Sequence, residues 1–350
     1  MVHQTLKASL RQLPGAALVS FGALGFAAVP GEAQAPGPHT LPLRAENVHW
    51  GYYDASLSPV LRIRSGDRID VETMVARGIE RMRLAGATDA EIPQALKAVE
   101  AGVVERGPGA HPMTGPIYVE GAEPGDVLEV EIESISFLHP FGVGAFSPGG
   151  GTLPDDFPYA ALKLFRFEED GTTELASGVR IPLSPFFGSI GVAPPVLSGR
   201  VSSRAPGYHV GNLDNKELGA GAKVFLPVHV AGGLLSIGDG HAAQGDGEVS
   251  GTAIETSLAG RIKVTVRKDL DLTWPRAETA SHVITMGLDP DLDEAARLAT
   301  REMVRYLVTE RGLSPEDAYI LCSVAVDLRV TQTVDGTKGV HAMLPKEIFR

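Results

Sequence analysis

The sequence predicts a mainly β fold, of β-sandwich or barrel-like type, with an α+β portion towards the C-terminus. Short runs of alternating or wholly apolar residues follow one another from about residue 39 onwards. The 41 glycines and 25 prolines are dispersed between these runs as turn residues, without a repeating period. The strongest helical patterns are confined to the region after residue 290.

The first 35 residues have the pattern of a secretory signal peptide. Lys7 and Arg11 precede an uncharged apolar stretch from Leu13 to Val29, and Ala33-Gln34-Ala35 then offers a small-x-small cleavage pattern. We therefore expect a periplasmic or secreted protein with no membrane contact after signal cleavage; an anchor or an N-terminal extension is the alternative. We expect the remainder, residues 36–350, to consist of two intimately packed β-rich subdomains.

Charge and cysteine content exclude several classes of function. The chain of 350 residues has 31 Lys and Arg against 43 Asp and Glu, a formal charge of -12. Such an acidic protein is not drawn to nucleic acid or to anionic lipid. The single cysteine, Cys322, excludes an internal disulfide, and its apolar neighbours predict a buried residue rather than a nucleophile.

The β elements of the first half alternate with one helical excursion. Leu61–Arg64 and Arg68–Thr73 flank Ser65-Gly66-Asp67 and predict a hairpin, and Val127–Ile132 alternates as a strand with one buried face. Residues 76–106 have helical spacing and are expected to lie at the periphery. The stretch 141–158, rich in Gly and Pro, is predicted to be one long loop.

Two helices and a strand are predicted near the C-terminus. The first helix runs from Asp291 to Arg311 and stops at Gly312. Ser314-Pro315 then provides an N-cap and a proline at the first position of a second helix, which ends at about Ala325. A strand follows over residues 328–334.

The stretch with the clearest chemical content is Gly238–Glu248, which follows the apolar residues Leu234–Ile237. Its four glycines allow the polar side chains to converge. Three carboxylates beside one imidazole repel one another unless a cation lies between them, which indicates a divalent metal site. Nitrogen and oxygen ligands together suit zinc, whereas oxygen alone suits calcium. The alternative is a set of turns with solvated acids. The polar residues of this stretch are Asp239, His241, Asp246 and Glu248.

Several blocks in order resemble the acetamidase/formamidase family, over roughly residues 45–345. The blocks are Trp50–Ala55, His111–Asp126, Gly211–Glu217, Gly238–Glu248, Gly251–Thr256 and Lys338–Pro345. The resemblance implies that a metal-containing homo-oligomer hydrolyses a short aliphatic amide, such as formamide or acetamide, to a carboxylate and ammonia.

Within the matching blocks we assign roles as hypotheses. Asp239 and His241 are the first-choice metal ligands, with Asp214 as a third. Asp54 and His111 are candidates for binding the substrate in the same pocket. The predicted catalytic base, Glu248 or Asp246, takes a proton from water and passes it to the departing ammonia.

Two other functions are consistent with parts of the sequence. Covalent catalysis without a metal lacks a nucleophile, because Cys322 is on an apolar helix and no Gly-x-Ser-x-Gly elbow is present. An exported β-sandwich binding module, stabilised by calcium in its acidic loops, is the alternative from a different functional class.

Overall fold

Strands dominate the computed structural model, which describes residues 38–349. The mainly β class predicted from the sequence, with helices near the C-terminus, is confirmed. The predicted signal peptide, residues 1–35, lies outside the described residues. Among residues 38–349, none of the helices combines the length and the apolar character that a bilayer crossing requires.

The strands are mostly short, with turns or loops between them. In chain order they are β1 (His39–Leu41), β2 (Val48–Trp50), β3 (Tyr52–Tyr53), β4 (Leu61–Arg64), β5 (Arg68–Glu72), β6 (Pro112–Glu120), β7 (Val127–Phe137), β8 (Phe141–Phe146), β9 (Ala161–Arg166), β10 (Thr172–Ala176), β11 (Val179–Pro182), β12 (Phe186–Gly191), β13 (Val201–Ser202), β14 (Val210–Asn212), β15 (Lys223–Pro227), β16 (Leu235–His241), β17 (Glu255–Thr256), β18 (Leu258–Arg267), β19 (Arg276–Glu278), β20 (His282–Asp289), β21 (Asp327–Gln332) and β22 (Lys338–Pro345).

Two sheets of nine strands contain most of these elements. The first sheet has the order β1-β5-β18-β7-β15-β19-β20-β22-β21. The second has the order β14-β12-β16-β17-β8-β9, and β6 joins it by pairing with β16, β2 and β4. β10 pairs with β11, and β3 pairs with β13, as two small additional sheets.

A shared apolar core lies between the two large sheets. Val130 and Ile262 of the first sheet belong to the same buried cluster as Ile190 and Ile237 of the second. Burying these aliphatic side chains away from water is the main favourable contribution to folding. The predicted division into two β-rich subdomains stays a prediction, and this core is common to both sheets.

Four α-helices accompany the sheets in the described part of the chain. They are α1 (Ile79–Leu84), α2 (Gln94–Gly102), α3 (Leu292–Arg311) and α4 (Pro315–Ala325). Asp291 caps α3 by accepting from two backbone amides, and Gly312 ends it in the left-handed conformation. Ser314 caps α4 and Pro315 follows it. Both C-terminal helices are therefore confirmed.

The predicted hairpin at residues 61–73 is wrong in its pairing. Both strands exist, but β4 pairs in parallel with β6, whereas β5 pairs with β1 and β18 in the other large sheet. The turn at Gly66 accordingly passes the chain from one sheet to the other, with its amide bonded to Val264 O. The alternating patterns predicted both strands correctly because each strand has a buried side. These patterns do not show which other strand each one pairs with.

The predicted loop at 141–158 is wrong over its first six residues, which form β8. Gly142 and Gly144 suggested a loop, yet here they allow close packing in a sheet. A Cβ on Gly142 would lie 2.6 Å from the Ile254 side chain, and one on Gly144 would lie 2.8 Å from the ring of Phe165. Glycine in a strand therefore marks a close approach at this place.

Candidate functional site

The second half of β16 places two polar side chains in the centre of a sheet. β16 lies between β12 and β17, and all seven of its residues are buried. Gly238 precedes Asp239, and Gly240 separates Asp239 from His241. A Cβ on Gly240 would lie 2.7 Å from Leu258 Cγ, so only glycine fits there. The Gly-Asp-Gly-His sequence thus combines a tightly packed strand with a polar site.

Four carboxylates and one imidazole converge at this point. Two overlapping groups have candidate ligand atoms within 4.8 Å of one another, and His241 belongs to both. All five residues are buried, at 7% exposure or less. The first group is Asp239, His241 and Glu255; the second is Asp214, His241 and Glu248.

Gln244 determines which nitrogen of His241 faces the acids. The side-chain amide of Gln244 donates to Asp214 O over 2.6 Å, which leaves its oxygen as an acceptor 2.9 Å from His241 Nδ1. Assigned from this network, Nδ1 carries a proton and donates it to Gln244. His241 Nε2 then lies 3.4 Å from Asp239 Oδ2 and 3.3 Å from Glu255 Oε2.

Buried polar atoms in this cluster lack hydrogen-bond partners. Within residues 38–349 the unpaired buried atoms include Asp214 Oδ1, Asp239 Oδ1, His241 Nε2 and Glu255 Oε2. Leaving such atoms unpaired away from water costs about 1–3 kcal/mol each, and more when they are charged. A cation among them removes this penalty, so the donor set fits a divalent metal.

The acids and the imidazole perturb one another strongly. Burial, followed by the charge of Glu248, raises the pKa of Asp214 well above its usual value. Burial also raises the pKa of Glu248 well above the usual value. Burial opposes protonation of His241, but the charges of Glu255 and Asp239 outweigh it and raise its pKa. The cluster therefore holds either a proton or another cation.

Backbone strain is concentrated in the same cluster. Within the described residues, six residues other than glycine have positive φ. Asp214, Asp239 and Glu248 are three of these six, with φ of 49°, 54° and 45°. Such conformations cost of order 1–3 kcal/mol each and persist where the surrounding structure enforces them, often at functional sites.

Gly188 of β12 leaves space opposite the cluster. A Cβ at this position would lie 2.7 Å from Asp214 Oδ1, 2.8 Å from Asp239 Oδ2 and 2.9 Å from His241 Cε1. The hydrogen of glycine thus keeps open a cradle that is bounded by three candidate ligands. This is a second observation, independent of hydrogen bonding, that fits a bound ion.

A small polar chamber adjoins the cluster. Its volume is about 20 Å³, enough for about one water molecule. Asp239, Glu248 and Glu255 line it together with arginines and a further acid. The other polar residues that line it are Arg77, Arg81, His111, Arg204, Asn212, Thr252 and Asp335.

His111 and Arg81 reach this chamber from different parts of the chain. His111 Nδ1 lies 2.9 Å from Ser203 O, so its Nε2 is left facing Asp239 Oδ2 at 3.8 Å. Burial lowers the pKa of Arg81 to about 10, and the residue stays a cation at neutral pH. The helical excursion at 76–106 was expected to lie at the periphery, and this is wrong, because α1 brings Arg81 to the site.

The structure brings most, but not all, of the predicted site residues together. Asp54 accepts from the amide of Ser56 and faces Arg200 at 3.5 Å, and it does not line the chamber. Its predicted contact with substrate stays a prediction. Asp246 is ion-paired with Arg329 at 2.8 Å and with Lys216 at 3.2 Å, outside the chamber. Of the two predicted bases, the geometry favours Glu248.

Three further residues, Glu255, Gln244 and Asp335, belong to the site and were not predicted from the sequence. Glu255 lies in register opposite His241 in the β16–β17 pair. Asp335 accepts from Asn212 Nδ2 over 3.1 Å and lies 3.4 Å from Arg204 Nε. Glu255 was within a block already singled out by resemblance, and its acidic side chain was the available signal. Nothing in the sequence near Asp335 indicates its position.

The chain is similar to known proteins of one family over most of its length. The model of the acetamidase/formamidase family matches residues 55–198 and 198–350. An acetamidase structure from Bacillus halodurans is 35% identical with a TM-score of 0.75, and the match covers 89% of this chain and 98% of that one. An acetamidase structure from Yersinia enterocolitica is 32% identical with a TM-score of 0.77, covering 92% and 96%.

A curated relative matches over a shorter range. The formamidase of Methylophilus methylotrophus is 32% identical, and the match covers 45% of this chain and 52% of that protein. The chain spans about half the length of the curated relatives it matches.

Proposed function

This chain belongs to the acetamidase/formamidase family, and we propose that it hydrolyses the C–N bond of an amide to a carboxylate and ammonia. The observation that carries the proposal is the buried cluster of four carboxylates and His241 beside a chamber of about one water. Amide hydrolysis requires an activated water, a proton for the leaving nitrogen and stabilisation of charge on the carbonyl oxygen. The chain offers residues for each of these tasks.

A resident divalent metal ion is part of the proposal. Asp239, His241 and Glu255 would hold it, and Asp214, which forms the second group with His241 and Glu248, is a further candidate ligand. Mixed nitrogen and oxygen donors favour zinc, whereas the large share of carboxylate oxygen makes calcium the alternative. When bound, such an ion lowers the pKa of a coordinated water to about 7 and polarises a carbonyl.

Glu248 is the proposed base. Its carboxylate lines the chamber and is buried, and within residues 38–349 it forms no salt bridge with Arg or Lys, unlike Asp246. In this role it accepts the proton of the attacking water and then delivers that proton to the departing nitrogen. Arg81 lines the same chamber as a cation and stabilises the negative charge that develops on the carbonyl oxygen.

Ammonia release from formamide and acetamide tests the proposal. Purified wild-type protein is expected to release ammonia, whereas folded His241→Ala and Glu248→Gln variants are expected to lose at least 99% of the rate, about a hundredfold effect. Removal of metal with a chelator, followed by addition of zinc or calcium in separate samples, identifies the ion. Full activity of folded His241→Ala protein would overturn the assignment.

The large share of carboxylate donors also supports a second candidate function, that of an exported calcium-stabilised binding module without catalysis. Calcium found by elemental analysis, together with no ammonia release from any amide, would favour it over the hydrolase. Zinc with ammonia release favours the hydrolase.

Export and assembly are also proposals. N-terminal sequencing of protein recovered from the periplasm tests export and cleavage after residue 35. Exposed apolar side chains on α4, among them Tyr319, Ile320 and Val324, support a homo-oligomer in which a second copy covers them. Light scattering of the purified protein measures its molar mass and would contradict this proposal by giving the mass of a monomer.

A further inference from the structure

A large cleft lies directly beyond the small polar chamber. Its volume is about 1140 Å³, and strands β8, β9, β10 and β11 together with residues 243–254 surround it. Most of its lining is apolar. Its apolar lining includes Ala145, Ala161, Leu162, Phe165, Leu175 and Ile181.

Two residues connect the cleft with the polar chamber. Glu248 and Thr252 line both spaces. Gln244, which holds His241 in place, also lines the cleft. The proposed base therefore lies at the boundary between a chamber that fits one water and a cleft that fits a much larger ligand.

The size and chemistry of the cleft do not match formamide or acetamide. Ligand clefts of about 300–1,000 Å³ with apolar walls and few polar groups typically bind molecules of drug size. A water molecule takes about 30 Å³ in the liquid, so a short amide comparable to a few waters would leave most of the cleft unfilled. Its rim also exposes Leu175 at 39% and Val249 at 62% of their surfaces.

We propose that the substrate is a primary amide with an apolar acyl chain of several carbon atoms. The chain lies in the cleft along Leu162 and Ile181, and the carbonyl end lies at Glu248. This inference rests on the proposed function, and it names the substrate class of that same site. Water attacks the carbonyl carbon, the C–N bond breaks, and the products are a fatty carboxylate and ammonia.

Apolar contacts give the expected dependence on chain length. Each methylene moved from water into an apolar site raises kcat/KM about fourfold, provided that the contact persists in the transition state. The rate constants for ammonia release are measured for acetamide, butanamide, pentanamide and hexanamide. We expect a continuous rise in kcat/KM along this series.

Two variants test the location of the acyl chain. Ala161→Trp fills the cleft, and Leu175→Glu places a charge at its rim. Both are expected to lower kcat/KM for hexanamide at least tenfold while acetamide turnover changes less than threefold. Ala176→Trp is the matched control, because Ala176 is exposed beside Leu175 on the β10–β11 hairpin and does not line the cleft.

The outcomes separate this inference from the proposed function. Acetamide hydrolysis with a flat or falling length series overturns the inference and leaves the amidase function intact. If no amide is hydrolysed, calorimetric binding of hexanoate that Ala161→Trp abolishes and Ala176→Trp preserves supports the cleft as an acyl site. Absence of both hydrolysis and hexanoate binding overturns it. Dissociation of an oligomer by Leu175→Glu without a change in the length series shows a subunit interface, which also overturns it.

Discussion

The imidazole of His241 donates its Nδ1 proton to Oε1 of Gln244 over 2.9 Å, and this bond turns Nε2 towards the acids. Gln244 is itself held by its bond to Asp214 O. A partner of this kind fixes the tautomer of a metal-binding histidine and the orientation of its ring. Gln244 is therefore a positioning residue for the proposed metal centre.

Replacing Gln244 with Leu is expected to weaken metal binding about 10- to 100-fold, because the ring loses its fixed tautomer. Gln244→Glu keeps an acceptor for Nδ1 but loses the donor to Asp214 O, so it is expected to retain more of the affinity than the Leu variant and less than the wild type. Competition with a chromophoric chelator measures the affinity of each variant. Equal affinities for the wild-type and Leu proteins would contradict the positioning role.

Gly188→Ala is expected to damage the site and leave the sheet intact. The added methyl group would lie 2.7–2.9 Å from Asp214, Asp239 and His241, so these side chains must shift. Displacement of about 1 Å in a catalytic group can cost about a hundredfold in rate. Ammonia release measures the loss, and circular dichroism verifies the fold. Gly219→Ala is the control, since its Cβ would contact only Pro185 O at 3.5 Å.

Asp246→Asn and Glu248→Gln distinguish the two bases predicted from sequence. Asp246 is ion-paired with Arg329 and Lys216 and does not line the polar chamber. We expect Asp246→Asn to retain kcat within about threefold, whereas Glu248→Gln loses about a hundredfold or more. Steady-state rates of ammonia release measure both. The opposite ranking would move the base to Asp246.

Elements of the fold could be predicted where the residues that determine them are close together in the sequence, and could not where those residues are far apart. Helix α3 was predicted at both ends, because Asp291 and Gly312 act on backbone groups of the same helix. The pairing of β4 and β5 could not be predicted, because each strand finds its partner far away in the chain. The loop predicted at β8 was wrong for a related reason. Gly142 and Gly144 are needed because Ile254 and Phe165, which are distant in the sequence, pack closely against them.

The same distinction holds for the candidate site. Asp239 and His241 are neighbours on one strand, and a sequence pattern is enough to associate them. Glu255 joins them only because β17 pairs with β16, which places Glu255 opposite His241. Asp335 comes from a distant loop and meets Asn212 and Arg204 through tertiary packing alone. Local sequence therefore indicated the kind of site, and tertiary structure completed its residues.

His139 is expected to make folding stability fall in mild acid. Among the described residues, 38–349, neither of its buried ring nitrogens has a hydrogen-bond partner, and burial lowers its pKa from 6.5 to about 4. Because the folded pKa lies below the unfolded value, the unfolded chain binds the proton more readily between these two pH values. Titration of His139 therefore leaves the free energy of unfolding unchanged above pH 6.5 and lowers it as pH falls towards 4, by on the order of 2 kcal/mol at pH 5.

Urea unfolding of wild-type and His139→Leu proteins at pH 7 and pH 5 isolates this contribution of His139, since all other titrating groups are common to both. The variant is expected to lose less stability than the wild type between the two pH values, and an equal loss would contradict the assignment.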